Sequence, residues 1–169
     1  MKRIIASLAI TLTISFGTTV DEGIKAYENK DYKTALSIFE DLASKNNRAA
    51  QFSLGALLWN GQAVKRDPIK AKEWFEKAAT QNFANAQYSL GIIYRYGIIS
   101  RNNPSYIFLK QYQDSQKAKE WFEKAAAQNV AHAQHELGVM YAKGEGIKQD
   151  KKVAKEWFRK ACDNKFQKS

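Results

Sequence analysis

Lys70 to Ala79 reads K-A-K-E-W-F-E-K-A-A, returns unchanged as Lys117 to Ala126, and returns again as K-V-A-K-E-W-F-R-K-A at Lys152 to Ala161. A block that carries its own Trp-Phe pair and its own charged stripe is one helix of a unit that cannot bury its apolar side alone. Neighbouring copies must therefore stack. The fold class this implies is all-α, a right-handed superhelical α/α solenoid of antiparallel helix pairs.

The spacing fixes the unit. Gly55 recurs as Gly91 after 36 residues and as Gly138 after a further 47, whereas Trp74 recurs as Trp121 after 47 and Trp157 after 36. One 36-residue period fits both series when 11 extra residues are placed between Gly97 and Gln116, in the loop between the helices of one unit. Each first helix reads like A-Q-F-S-L-G-A-L-L-W-N-G, with Leu54, Leu90 and Leu137 before the glycines and Leu58, Tyr94 and Tyr141 one turn after, a core stripe at helical spacing. Asp67 and Pro68 mark the start of a second helix as N-cap and first helical residue.

A glycine inside a helix costs about 1 kcal/mol relative to alanine. Three such costs imply a shared reason, close approach of the paired helix, and the small pairs Ala78-Ala79 and Ala125-Ala126 are its expected source. Asn82, Asn129 and Asn164 are expected to end the second helices in left-handed conformation. Pairs at i, i+4 (Lys72-Glu76, Glu73-Lys77, Lys119-Glu123, Glu120-Lys124) mark a solvated face, with the Trp and Ala residues behind it as the buried back of the solenoid.

Ahead of these units, Asp31, Tyr32, Ala35 and Phe39 match the tetratricopeptide pattern. They predict a helix, a tight turn at Asn29 to Asp31 and a second helix that caps the stack. The positions Ala50, Leu54, Gly55, Gly61, Asp67, Lys70, Ala71, Trp74, Lys77, Ala78 and Ala79 resemble the signature of the Sel-1-like repeat family, a tetratricopeptide relative. The resemblance covers Ala50 to Asp163 in three units; Asn in place of the family's Gly after the second helix and the insertion are its departures. The expected organisation is a signal peptide at 1–19, a tetratricopeptide-like unit at 21–48, and Sel-1-like units at 49–85, 86–132 (with the insertion) and 133–169. The resemblance implies a scaffold that binds proteins.

Lys2 and Arg3 precede the 13-residue apolar run Ile4 to Phe16, too short for the ~20 residues of a membrane span. The pattern predicts an exported protein, cleaved near Gly17 and periplasmic or secreted, with no integral membrane span afterwards. With one cysteine the fold cannot rest on an intramolecular disulfide, and Cys162, aligned with Ala79 and Ala126, is expected to be buried. The charge of +10 falls to +8 without Lys2 and Arg3. Its even spread argues against nucleic acid and leaves an acidic protein partner as its use. A monomer is expected.

No G-x-S-x-G, S-x-x-K or G-x-x-x-x-G-K occurs, so neither an enzyme nor a bound cofactor is expected. The β-lactamase activity attributed to some family members lacks its S-x-x-K here. His132, His135 and Glu136 form an imaginable metal set without a third strong ligand, and a structural role is the simpler reading. Function is expected on the concave face, where first-helix residues differ between units. These are Phe52, Ala56, Trp59 and Asn60, then Tyr88, Ile92, Arg95 and Tyr96, then His135, Val139 and Lys143. Trp59, Tyr88, Arg95 and Tyr96 are the expected anchors, because aromatic and Arg side chains carry most interface energy. Phe52 and Tyr88 serve equally well as packing residues. The insertion, Ile98 to Ser115, adds Tyr106, Ile107, Phe108, Leu109 and Tyr112 as a second candidate, either folded as a hairpin or helical turn over the groove or presented to a partner. Envelope adaptor, toxin-neutralising immunity protein and, from another class, periplasmic hydrolase are the functions weighed.

Overall fold

The computed structural model describes residues 18–99, 108–109 and 113–166. The expected signal segment, apart from Thr18 and Thr19, lies outside them, as do Tyr106 and Tyr112, and Phe108 is described by its backbone alone. Eight helices follow in order: α1 (Val20–Glu28), α2 (Tyr32–Ser44), α3 (Arg48–Asn60), α4 (Pro68–Thr80), α5 (Ala84–Tyr96), α6 (Ser115–Ala127), α7 (Ala131–Lys143) and α8 (Lys151–Phe166). They pack as the pairs α1/α2, α3/α4, α5/α6 and α7/α8, each pair lying against the next through its second helix. This is the expected α/α solenoid.

Local chemistry sets the helix boundaries. Thr19 and Glu22 form a reciprocal capping box at α1, and Asp31 caps α2 through Thr34 N. Asp67 accepts from Lys70 N ahead of Pro68, and Asp114 accepts from Gln116 N and Lys117 N at α6. Asn82 and Asn129 follow α4 and α6 at φ 60°, as expected of left-handed caps. Asn164 instead lies inside α8, and counting from the tryptophans it occupies the place of Gln81 and Gln128.

The glycine stripe marks close approach of the paired helix, as expected, but a different residue makes the contact. A Cβ on Gly55 would lie 2.7 Å from Phe75 Cε1, and one on Gly138 would lie 2.6 Å from Phe158 Cδ1 and Cε1. Phe122 meets Gly91 and Phe39 meets Gly23 in the same way. The glycines thus admit a phenylalanine ring from the paired helix rather than its alanines. Ala71, Ala78 and Ala79 are indeed buried, and so are Ala118, Ala125 and Ala126. The tryptophans are not the buried back: Trp74, Trp121 and Trp157 are half-exposed and bridge to the preceding unit. Lys77, Lys124 and Lys160 lie 3.9, 4.1 and 4.4 Å from their ring centroids. Lys77 and Lys124 thereby sit on indole faces, where the i, i+4 pattern had assigned them to Glu73 and Glu120. An ammonium one turn from an indole gains both cation–π attraction and apolar cover for its stem.

Polar nodes absent from the expectations join the units. Gln51, Gln87 and Gln134, four residues before each glycine, are 2–3% exposed. Gln87 donates to Ala79 O (3.3 Å) and Asn82 Oδ1 (3.1 Å), and Gln128 donates to Gln87 Oε1 (2.8 Å) and Asn82 Oδ1 (3.1 Å). The same node recurs with Gln51, Asn46 and Gln81, and with Gln134 and Asn164. Each node satisfies buried amides at a junction and fixes the register of one unit on the next.

The insertion leaves the junction unchanged. Ile98–Ile99 (β1) pairs antiparallel with Phe108–Leu109 (β2), the hairpin alternative, and Ile98 is fully buried. Beyond it Asp114 N donates to Tyr94 O, as Asp67 N does to Leu58 O and Asp150 N to Tyr141 O in the uninterrupted units.

Candidate concave binding site

The ring that fills each glycine gap also floors the face beside it. Phe52 lies 5.5 Å from Phe75 and 5.3 Å from Phe83, and Trp59 lies 6.4 Å from Phe75, all tilted ring pairs. Such contacts are worth about 0.5–1.5 kcal/mol each beyond burial, enough to hold the rings as a rigid floor. Trp59 is fixed from behind: Arg66 Nε donates to Trp59 O at 2.9 Å and the guanidinium stands 5.7 Å from the indole centroid.

Between α3, α4 and α5 this floor opens into a cleft of about 330 Å³ lined by Phe52, Ala56, Trp59, Asn60, Phe75, Tyr88, Ser89, Ile92 and Ile93. A second hollow of about 200 Å³ shares Phe52 and Ala56 and continues onto Ile24, Tyr27, Phe39 and Ser53. The two form one trough whose lining carries no charged side chain. Phe52, Trp59, Asn60 and Tyr88, named from sequence, thus come together. Phe75 was missed because it belongs to a second helix. Ile24 and Tyr27 were missed although aligning Gly23 with Gly55 puts them level with Ala56 and Trp59.

The trough stops where Arg95 replaces Trp59 one unit on. Arg95 is 5% exposed and is no open groove cation. Its Nε and Nη2 donate to Glu145 Oε2 at 2.9 and 2.5 Å, its Nη1 donates to Glu136, and Tyr96 Oη donates to Glu136 Oε2 at 3.2 Å. Two carboxylates from the following unit draw the guanidinium into the junction, a tie available only there because Ser53 and Ser89 occupy the Glu136 position in the other two. Burial pushes Glu145 up, but hydrogen bonding and charge from Arg95, with Lys143, outweigh it and hold its carboxyl below the ordinary value. Burial, then the Glu136 charge, raises the Tyr88 and Tyr96 hydroxyls.

Lys143 pairs with Glu145 at 3.5 Å beside this tie. His135 is set apart from the trough, its ring 5.3 Å from Phe158, and His132 lies 5.9 Å from Tyr88. Both histidines make tilted contacts with aromatic rings, while the Glu136 carboxylate is taken by Arg95 and Tyr96. Among the described residues no three His, Cys, Asp or Glu side chains converge as a metal set.

The Sel1 repeat model matches residues 48–83, 84–106, 108–130 and 131–166, the middle two segments each carrying one helix of the inserted pair. Among solved structures, a Sel1 repeat protein from Oxalobacter formigenes is 31% identical with TM-score 0.73, covering 86% of this chain and 53% of that one. A protective antigen present in uropathogenic Escherichia coli strains, with the same repeat fold, is 34% identical with TM-score 0.65 over 76% of this chain and 25% of its own. A Sel1-type protein from Klebsiella pneumoniae subsp. pneumoniae, at 23% identity and TM-score 0.53 over 88% of this chain and 71% of that one, shares the fold. The chain thus spans about half of the Oxalobacter protein and a quarter of the Escherichia one. The comparison with curated proteins gives no match. No helix among the described residues is long and apolar enough to cross a membrane. With the family model covering most of the chain and the stacked helix pairs built as that family's are, this protein belongs to the Sel1 repeat family.

Proposed function

We propose that the chain is a non-enzymatic interaction module that holds a segment of a partner protein in the trough along α1, α3 and α5. Sel1 repeats generally mediate protein–protein interaction. The observation that carries the reading is the uncharged cleft of about 330 Å³ with Trp59 already clamped by Arg66. Side chains that are ordered before binding lose little entropy on binding, which favours an anchor residue of the partner here. Asn60 and Ser89 at the rim supply donors and acceptors for the partner's backbone. Arg95 is left out of the contact set because it is spent inside the fold, and Tyr96, 45% exposed, marks the far limit.

The trough asks for apolar side chains, so an acidic partner would meet the basic charge outside it. An adaptor of the bacterial envelope fits the apolar run Ile4 to Phe16, and amino-terminal sequencing of the protein recovered from periplasm tests the export. For the trough, a photo-crosslinking residue at Asn60 should capture the partner, and Trp59→Ala with Tyr88→Ala should abolish capture while helical circular dichroism persists. Undiminished capture by the double variant would refute the assignment.

A further inference from the structure

The face of α8 that lies beyond the trough breaks the repeat rule in a directed way. In α4 the residues that receive the following first helix include Lys72, Phe75, Glu76 and Ala79, and in α6 they are Lys119, Phe122, Glu123 and Ala126. Lys72 pairs with Glu76 at 2.5 Å and Lys119 with Glu123 at 2.8 Å. Tyr94 of the following helix completes the first of these, its hydroxyl 3.4 Å from Glu76 and its ring 5.4 Å from the Lys72 ammonium. The matching residues of α8 are Lys155, Phe158, Arg159 and Cys162.

The aromatic anchor is kept, but the ion pair has become two cations one turn apart. Phe75 and Phe122 are 4% and 0% exposed and Ala79 and Ala126 are 2% and 3% exposed, whereas Phe158 is half-exposed and Cys162 is exposed. The burial expected for Cys162 from its alignment with those alanines therefore does not hold. Its cover would be a following first helix, and none lies there among the described residues. In its place a cleft of about 270 Å³ opens, floored by Phe158 and Ala161 and edged by His135, Cys162 and Lys165.

We propose that this face receives an acidic amphipathic helix of a partner protein, seated against Phe158 and Cys162 as α5 is seated against Phe75 and Ala79. Phe158 and Cys162 stand at the positions of Phe75 and Ala79, the residues that seat a helix at an earlier junction. The charge selects the occupant, because a carboxylate placed where Tyr94 stands would meet both Lys155 and Arg159. A second copy fits poorly. Two α8 faces would bring like charges together, and α1 carries Glu22 and Lys25 at the places where α3 buries Leu54 and Leu57, so it cannot continue the stack.

The test uses the full chain and a hydrocarbon-stapled helical peptide of the Ala84–Tyr96 sequence carrying Tyr94→Glu and Arg95→Gln, which leaves its side chains net negative. The proposal expects binding by fluorescence anisotropy, with maleimide alkylation of Cys162 slowed about tenfold at saturation. Arg159→Glu rebuilds the ion pair of the earlier helices on an exposed face, so it should fold while weakening the peptide about tenfold. Cys162→Ala should bind as the parent does. Absence of binding, equal affinity for Arg159→Glu, or an unprotected thiol would each overturn the proposal. Cys162 protected without peptide in a sedimenting dimer would overturn it in favour of a second copy.

Discussion

Replacing Gly55 by alanine sets helix propensity directly against packing. The change gains about 1 kcal/mol in an α-helix interior. The new methyl carbon would stand 2.7 and 2.8 Å from Phe75 Cε1 and Cδ1 and 3.2 Å from Ala71 O, where apolar carbons prefer about 3.5–4.0 Å. The ring must retreat by about 0.8 Å or more. Phe75 is 4% exposed, packed against Phe52 and beneath Trp59, so it can retreat only toward the trough and at the expense of those ring contacts. Overpacking of this kind costs about 1–3 kcal/mol, occasionally more, which outweighs the propensity gain. The net expectation is a loss of up to about 2 kcal/mol, a fall in Tm of up to roughly 8 °C for a chain of this size. Gly138→Ala meets Phe158 just as closely at 2.6 Å, but that ring is half-exposed and can turn outward, so its net effect should lie within about 0.5 kcal/mol. Thermal and urea unfolding followed at 222 nm compare the two. Stabilisation by Gly55→Ala, or a larger loss from Gly138→Ala, would refute the view that the glycines exist to admit the phenylalanine rings.

Gln87→Leu deletes the Gln87 hydrogen bonds to Ala79 O, Asn82 Oδ1 and the Gln128 amide while Ala79 O keeps Asn82 N and Gln128 keeps Asn82 Oδ1, so urea unfolding should show a loss of about 1–3 kcal/mol, and a neutral result would demote the nodes. Arg95→Met strands Glu136 and Glu145; because Glu145 is 36% exposed, solvent screens it and the expected loss is about 2 kcal/mol rather than the 3–5 kcal/mol of a wholly buried pair. Its folded carboxyl titrates below the ordinary 4.5, so this contribution is present above that pH and fades as pH falls through the lowered value; the gap between parent and variant should therefore close in acid, as chemical unfolding at stepped pH would show. Cys162 should react with a thiol reagent in the native chain at nearly the rate of the unfolded one, and strong native protection would contradict the exposed α8 face.

The candidate trough was half legible. Counting from Gly55, Gly91 and Gly138 places Phe52, Trp59, Asn60 and Tyr88 on one face, because a helix repeats its faces by position alone. The same count put Arg95 beside them, and it failed there because a side chain's direction is decided by what stands opposite. Glu136 and Glu145 are 41 and 50 residues away in the chain, and only stacking brings them to the guanidinium. The buried glutamines were written in plain view as A-Q-F-S-L-G, A-Q-Y-S-L-G and A-Q-H-E-L-G, but a polar residue between core positions looks exposed until its amide partners are counted.

By itself the sequence determined the solenoid, its period, its helix starts at Asp67-Pro68 and the site of the insertion. Those follow from local spacing and capping, which act within a few residues of chain. Tertiary structure alone decided that phenylalanine rather than alanine fills the glycine gaps and that lysines cover the tryptophans. It also decided that Arg95 is withdrawn from the groove and that Cys162 is left uncovered. Each of these depends on which neighbour occupies the space opposite, and local spacing does not record that neighbour.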